Sequence, residues 1–132
     1  MNDSTRTDCP FCDIPADRVL AANVYAIAVL DAYPVSPGHS LVVLRRHVAN
    51  FFDLDPAEVA AMLELLGRVR CRVEASYAPQ GYNIGVNVGQ VAGQTVPHVH
   101  VHLIPRYADD VADPTGGVRN VIPGRGRYCP PS

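Results

Sequence analysis

Three of the chain's five histidines fall within five residues, in His98-Val99-His100-Val101-His102. Side chains of an extended strand alternate between faces, so this spacing predicts three imidazoles on one side, about 6–7 Å apart. Val99, Val101 and Leu103 then face the other way and can bury. Imidazole titrates near neutrality and serves as nucleophile, general acid or base, or metal ligand. An exposed strand face that happens to collect histidines is the plain alternative, and a same-face row of three is rarer than a lone histidine. One catalytic metal held by all three is a further alternative. Zinc sites do take an H-x-H pair from one strand, but they usually draw the third ligand from elsewhere.

Cys9-Pro10-Phe11-Cys12 places two thiols at the spacing of half a tetrahedral zinc site. No secretory signal is visible in the polar N-terminal stretch, so metal binding or redox chemistry is expected ahead of a structural disulfide. A redox pair would open a helix in a thioredoxin-like βαβ unit, and no such pattern follows. Two idle thiols remain a third reading. Cys71 is expected to pack inside a helix, and Cys129 has no assignment.

The elements that must position these groups are legible from periodicity. Residues 24–30 form a nearly continuous apolar run and read as a buried strand. A turn with Pro34, Pro37 and Gly38 leads to a second strand over 40–44, and so short a link predicts an antiparallel pair. Asp55-Pro56-Ala57-Glu58 signals a helix start: Asp55 as cap, Pro56 in the first turn, Glu58 completing a capping box. That helix is expected to reach about Tyr77, with Val59, Met62, Leu63, Leu66, Val69 and Val73 on its buried face. Residues 82–88 alternate as a third strand, and a Gly-rich loop over 89–95 leads to a fourth, over 96–104. One helix with a mostly antiparallel meander predicts an α+β fold. The chain beyond Arg106 turns polar and is expected to be an irregular tail, with Arg119, Arg125 and Arg127 solvated rather than reaching for a polyphosphate.

Composition narrows the function. The 132 residues suit one domain, and 11 basic against 13 acidic side chains give a net charge of −2, which argues against a protein that coats nucleic acid or anionic membrane. No apolar run is long enough for a transmembrane helix, and a cytoplasmic location is expected. All 11 basic residues are arginine. Without lysine, Schiff-base and pyridoxal-phosphate chemistry and a P-loop are excluded.

The stretch Gly93-Gln94-Thr95-Val96-Pro97-His98-Val99-His100-Val101-His102-Leu103-Ile104-Pro105-Arg106 resembles the signature of the histidine-triad family of nucleotide hydrolases and transferases. Leu30-Asp31, Pro37-Gly38-His39, His47 and Asn87 agree in order and spacing, so the likeness runs roughly from Cys9 to Arg106. It implies a histidine-triad-like α+β fold: a mostly antiparallel five-stranded sheet, one long helix and short helical segments. The whole of 1–132 would be a single domain, with its core at about 9–106 and its tail at 107–132.

The resemblance also implies chemistry. His100, the middle histidine, would attack the α-phosphorus of a nucleotide, expel the leaving group and form a nucleotidyl-histidine that water cleaves. A covalent intermediate splits one difficult displacement into two easier ones. His39 and His102 would flank the phosphate as donors, and Thr95 would bond the phosphate region or the leaving group. Asn87, Gly93, Gln94 and His98 are expected with His100 and His102 among the nucleotide-contacting residues. Asp31 would accept the ribose hydroxyls, and Ile14, Leu30 and Leu41 would line the base pocket. Related nucleotidylyltransferases carry glutamine at the third histidine, so His102 favours a hydrolase.

Zinc-containing bacterial members further imply one structural zinc per chain on Cys9, Cys12, His47 and His98, a closed site with no place for a catalytic water. A homodimer and a purine nucleotide substrate are carried over as partners, without nucleic acid or membrane. Dinucleoside polyphosphates such as diadenosine tetraphosphate are the first substrate class and adenosine phosphoramidates the second. A nucleotide-binding module with little turnover is the alternative from another class.

Overall fold

A computed structural model describes residues 8–128, so Cys129 lies outside the described residues. Five strands form one sheet: β1 (Val19–Ala22), β2 (Ala26–Leu30), β3 (Ser40–Leu44), β4 (Gly81–Gly85) and β5 (His100–Arg106). Their order is β1-β2-β3-β5-β4 and every pairing is antiparallel. Helix α1 (Pro56–Tyr77) crosses one face, and short 3-10 turns occupy Ala16–Arg18, Phe51–Asp53, Gln90–Ala92 and Gly117–Val121. The expected α+β architecture is therefore present. No described helix is long and apolar enough to cross a membrane.

Helix α1 starts where the sequence signals it. Glu58 accepts the Asp55 N–H at 2.9 Å, and its carboxylate, 3% exposed, is held by Arg46 through Nε at 3.0 Å and Nη2 at 2.8 Å. A buried charge needs such pairing. The buried face is Met62, Leu65, Leu66, Val69 and Val73, so Leu65 replaces Leu63, which is 61% exposed. A 100° turn per residue decides it: Leu65 lies one turn before Val69, whereas Leu63 is rotated off the seam. Cys71, expected to pack, is exposed for the same reason.

The sheet separates two cores. Ala26, Ala28, Val42, Leu44, Val99, Val101 and Leu103 pack against α1. On the opposite face Val29, Leu41 and Val43 form a smaller cluster with Phe11, Ile14 and Ile27. At Gly38, with φ at 85°, an added Cβ would stand 2.9 Å from the Tyr77 ring, so glycine lets the β2–β3 turn seat against the end of α1.

Strand boundaries differ from the periodicity at the catalytic end. β5 begins at His100 rather than at Val96. Pro97 has no N–H for a ladder, and the His98 N–H bonds the Val96 carbonyl at 2.8 Å, a tight turn that delays the strand. β4 likewise stops at Gly85 instead of residue 88.

The segment after Arg106 is less irregular than its composition suggests. Arg106 grips Asp110 through Nε at 2.7 Å and Nη2 at 2.8 Å, and reaches Asn83 at 2.6 Å. The 3-10 turn Gly117–Val121 then packs on β4.

Candidate active site and metal cluster

Because β5 starts late, the three histidines are not equivalent. His100 and His102 stand on the strand face away from α1, with ring centroids 5.1 Å apart. His98 precedes the strand, is wholly buried, and belongs to a different cluster. The expected row of three along one strand is thus two plus one.

His98 donates Nε2–H to the Leu44 carbonyl. Its Nδ1 lone pair therefore points the other way, to Cys9 Sγ at 3.3 Å, Cys12 Sγ at 3.6 Å and His47 Nδ1 at 3.2 Å. Cys12 Sγ and His47 Nδ1 are 3.2 Å apart. All four donor atoms lie within 4.8 Å of one another. Bonds of 2.0–2.3 Å at tetrahedral angles require donor separations of about 3.3–3.8 Å, so the cluster can hold one four-coordinate ion. Burial holds the His98 imidazolium form down, which favours the neutral ring that a ligand must be.

His100 donates Nδ1–H to the His98 carbonyl at 2.7 Å, leaving Nε2 with its lone pair outward. Phe11, between the two cysteines, lies against this ring with centroids 4.8 Å apart. Neither contact was legible in the sequence: one partner is a backbone carbonyl, and Phe11 reads as filler in C-x-x-C.

Asp31, His39 and His102 form a second cluster. The Val35 N–H donates to His39 Nδ1 at 3.1 Å, so the neutral ring carries its proton on Nε2. That Nε2–H faces His102 Nδ1 at 3.0 Å and Asp31 Oδ2 at 3.4 Å. His102 accepts on Nδ1 and presents Nε2–H to the open face. Burial, reinforced by His100 and His39 and opposed by Asp31, lowers the His102 pKa to about 4. Burial also lowers that of His39, against the pull of Asp31. Both rings are therefore neutral donors at pH 7. His39 is only 3% exposed, and its Nε2 side faces the His102 ring.

The remaining expected contacts are unevenly placed. Asp31 also accepts the Tyr33 N–H at 2.8 Å, and its carboxylate retains lone pairs for further donors. Gln94 is occupied: its amide oxygen takes the Gly89 N–H at 2.9 Å, and its NH₂ group bonds the Ala49 carbonyl at 2.8 Å. It braces the 89–95 loop, where Gly93, at φ 93°, uses the left-handed region. Thr95 is exposed and Asn87 half-buried. Leu41 is buried with Val29 and Val43; Ile14, packed against them, is half-buried, and Leu30 is at the surface.

A profile of the HIT domain matches residues 13–109. The chain belongs to the HIT domain family. Cys9 and Cys12 lie just before the matched span. A HIT-like protein of Mycoplasma genitalium is 36% identical over 111 residues, covering 81% of this chain and 79% of its own length. The bis(5′-nucleosyl)-tetraphosphatase (asymmetrical) of Schizosaccharomyces pombe is 40% identical over 96 residues, 73% of this chain and 53% of that one. The AP-4-A phosphorylase of Mycobacterium tuberculosis is 35% identical over 115 residues, 83% and 59% respectively. Among solved HIT structures, SMU.412c from Streptococcus mutans superposes with a TM-score of 0.74 at 32% identity, covering 83% of this chain and 73% of its own. A zinc-bound histidine triad family protein from Mycobacterium smegmatis gives 0.70 at 33% identity, covering 80% of each.

Proposed function

We propose that the chain is a nucleotide hydrolase of the histidine-triad type, acting at the α-phosphate of dinucleoside polyphosphates. The observation that carries this reading is the pair of fixed tautomers at His100 and His102. His100 offers a bare Nε2 as nucleophile, and His102 offers Nε2–H as donor beside it. His100 Nε2 forms a bond to the α-phosphorus while the bond to the bridging oxygen breaks, and the leaving polyphosphate takes that electron pair. Water then attacks phosphorus while the Nε2–phosphorus bond breaks and its electron pair returns to His100; the proton that water loses passes to solvent, and the nucleoside monophosphate leaves. The His98 carbonyl, bonded to Nδ1–H throughout, stabilises the cationic ring of the intermediate. Asp31 is assigned to the ribose hydroxyls, and Thr95, Asn87 and the 89–95 loop to the α-phosphate.

Relatives named as a bis(5′-nucleosyl)-tetraphosphatase and as an AP-4-A phosphorylase support the substrate class. One of them is a phosphorylase, so phosphate as acceptor in place of water is the competing outcome. An AMP-amine phosphoramidate is the second substrate to try. Cys9, Cys12, His47 and His98 are assigned one zinc, supported by the donor spacing and by the zinc-bound relative; it would cross-link the N-terminal segment to the catalytic strand and enter no chemical step. A homodimer in a reducing cytoplasm is part of the same reading.

The test is turnover of diadenosine tetraphosphate and of an AMP-amine conjugate by the wild type and His100→Ala, with and without added phosphate. Hydrolysis by the wild type is expected, with a loss of about 10³-fold or more in the variant. Residual activity within tenfold of the parent would overturn the assignment, and phosphate-dependent release of ADP would make it a phosphorylase.

A further inference from the structure

The segment after Arg106 folds back over the far end of the histidine face and roofs a cavity of about 590 Å³. The floor is Ile104, on the same face of β5 as His100 and His102, directly opposite Asn83 on β4. Val35, whose N–H sets the His39 tautomer, and Pro37 line it from the β2–β3 turn, and Val111 and Asn120 line it from the C-terminal segment. The roof is built to stay. Arg106 ties it to both Asp110 and Asn83, Ser36 bonds the Pro105 carbonyl at 2.7 Å, and the Tyr107 hydroxyl bonds the Pro37 carbonyl at 2.6 Å. Gly116 and Gly126 meet so closely that a Cβ on Gly116 would stand 1.8 Å from the Gly126 carbonyl oxygen.

We propose that this cavity receives the base of the second nucleoside, the one that leaves with the polyphosphate; the inference rests on the hydrolase reading above. Its size lies in the range of small-molecule sites, and its lining combines apolar surface with a few polar groups, as such sites do. Val35 and Val111, both lining the cavity, are 72% and 48% exposed, leaving apolar surface for a flat ring to cover. Asn83 spends its oxygen on Arg106 and keeps NH₂ hydrogens for a base edge. Ile104 is four residues along the strand from His100, about 13 Å, a gap that a tetraphosphate bridges and a monophosphate does not. The C-terminal segment thereby sets the preference for two-nucleoside substrates.

Val111→Trp fills the cavity from an exposed position, and Asn120→Ala removes a wall amide. Each is measured on diadenosine tetraphosphate and on an AMP-amine conjugate, which has no second nucleoside, with melting curves to confirm folding. For the tetraphosphate, kcat/KM is expected to fall about five- to tenfold through KM, the scale of one lost stacking or hydrogen-bonding contact. The ratio of the two activities falls with it. Equal losses on both substrates, or none on either, overturn the proposal. Calorimetry in the His100→Ala background separates this from the hydrolase reading. If diadenosine tetraphosphate binds more tightly than AMP and Val111→Trp removes the difference, the cavity assignment stands even where the wild type shows no turnover. No difference in affinity overturns it even where turnover is high.

Discussion

Two clusters flank His100, and the proton on one imidazole nitrogen separates them. In the cluster of Cys9, Cys12, His47 and His98, the Leu44 carbonyl takes the His98 Nε2–H and leaves Nδ1 as a lone pair among the other donors. In the cluster of Asp31, His39 and His102, the Val35 N–H occupies His39 Nδ1 and forces the proton onto the nitrogen that faces its neighbours. The second group is as tightly gathered as the first, yet a metal at its centre would have to displace that proton and turn the Val35 N–H onto a protonated nitrogen. Proximity therefore does not make a metal site. The donors of the first cluster have the spacing and the bare nitrogen that an ion requires; the second is a relay of hydrogen bonds that aims His102.

The widest separation comes from removing the ion. Structural zinc contributes on the order of 10 kcal/mol, comparable with the stability of a whole domain. Cys9→Ser with Cys12→Ser is expected to abolish bound zinc and lower the melting temperature by well over 10 °C, while any folded remainder keeps turnover within about tenfold. Elemental analysis should find one zinc per wild-type chain. Instant loss of activity on chelation, without unfolding, would move the ion into the chemistry.

The relay is expected to show the opposite pattern. His39→Leu removes the donor that orients His102 and should lower kcat about 10- to 100-fold, the scale of a misplaced catalytic group. Zinc content and KM should change little. His39→Gln, which restores an N–H donor, should recover part of the loss; failure of both to affect kcat removes His39 from the relay.

Asp31 sharpens the picture at the substrate end. If it binds ribose, Asp31→Ala weakens ribonucleotides about 10- to 150-fold relative to their 2′,3′-dideoxy counterparts. Equal weakening of both leaves Asp31 its contacts with His39 and the Tyr33 N–H.

The smallest effect is an acid dependence of stability. His102 is lowered to about 4 in the folded protein from 6.5, so between those values the unfolded chain binds more protons. Stability from this group is complete above pH 6.5 and falls as pH drops toward 4. The melting temperature of His102→Asn should decline less steeply over that window than that of the wild type; identical slopes would contradict the buried, neutral ring.

Much of this was written in the sequence. Residue types at fixed spacing picked out the groups that the fold gathers into clusters, because H-x-H-x-H and C-x-x-C carry them in their own side chains. Asp55-Pro56 and Glu58 set the start of α1, because capping is local. Local pattern was weaker where two elements compete for one residue. Alternation alone placed His98 in a strand, and Pro97, with the turn it anchors, took it out. Helical spacing alone admitted Leu63, and the sheet accepted Leu65.

What only the tertiary structure decided is which proton sits where and what the C-terminal segment covers. The Leu44, His98 and Val35 backbone groups fix three tautomers, and any residue type offers the same carbonyl or N–H. Arg106 reads as a strand end, yet its partners Asn83 and Asp110 come from opposite sides of it in sequence and meet only when β4 pairs with β5. Sequence determines which chemical groups are present; long-range packing determines which of them face each other, and so which become ligands, donors or nucleophile.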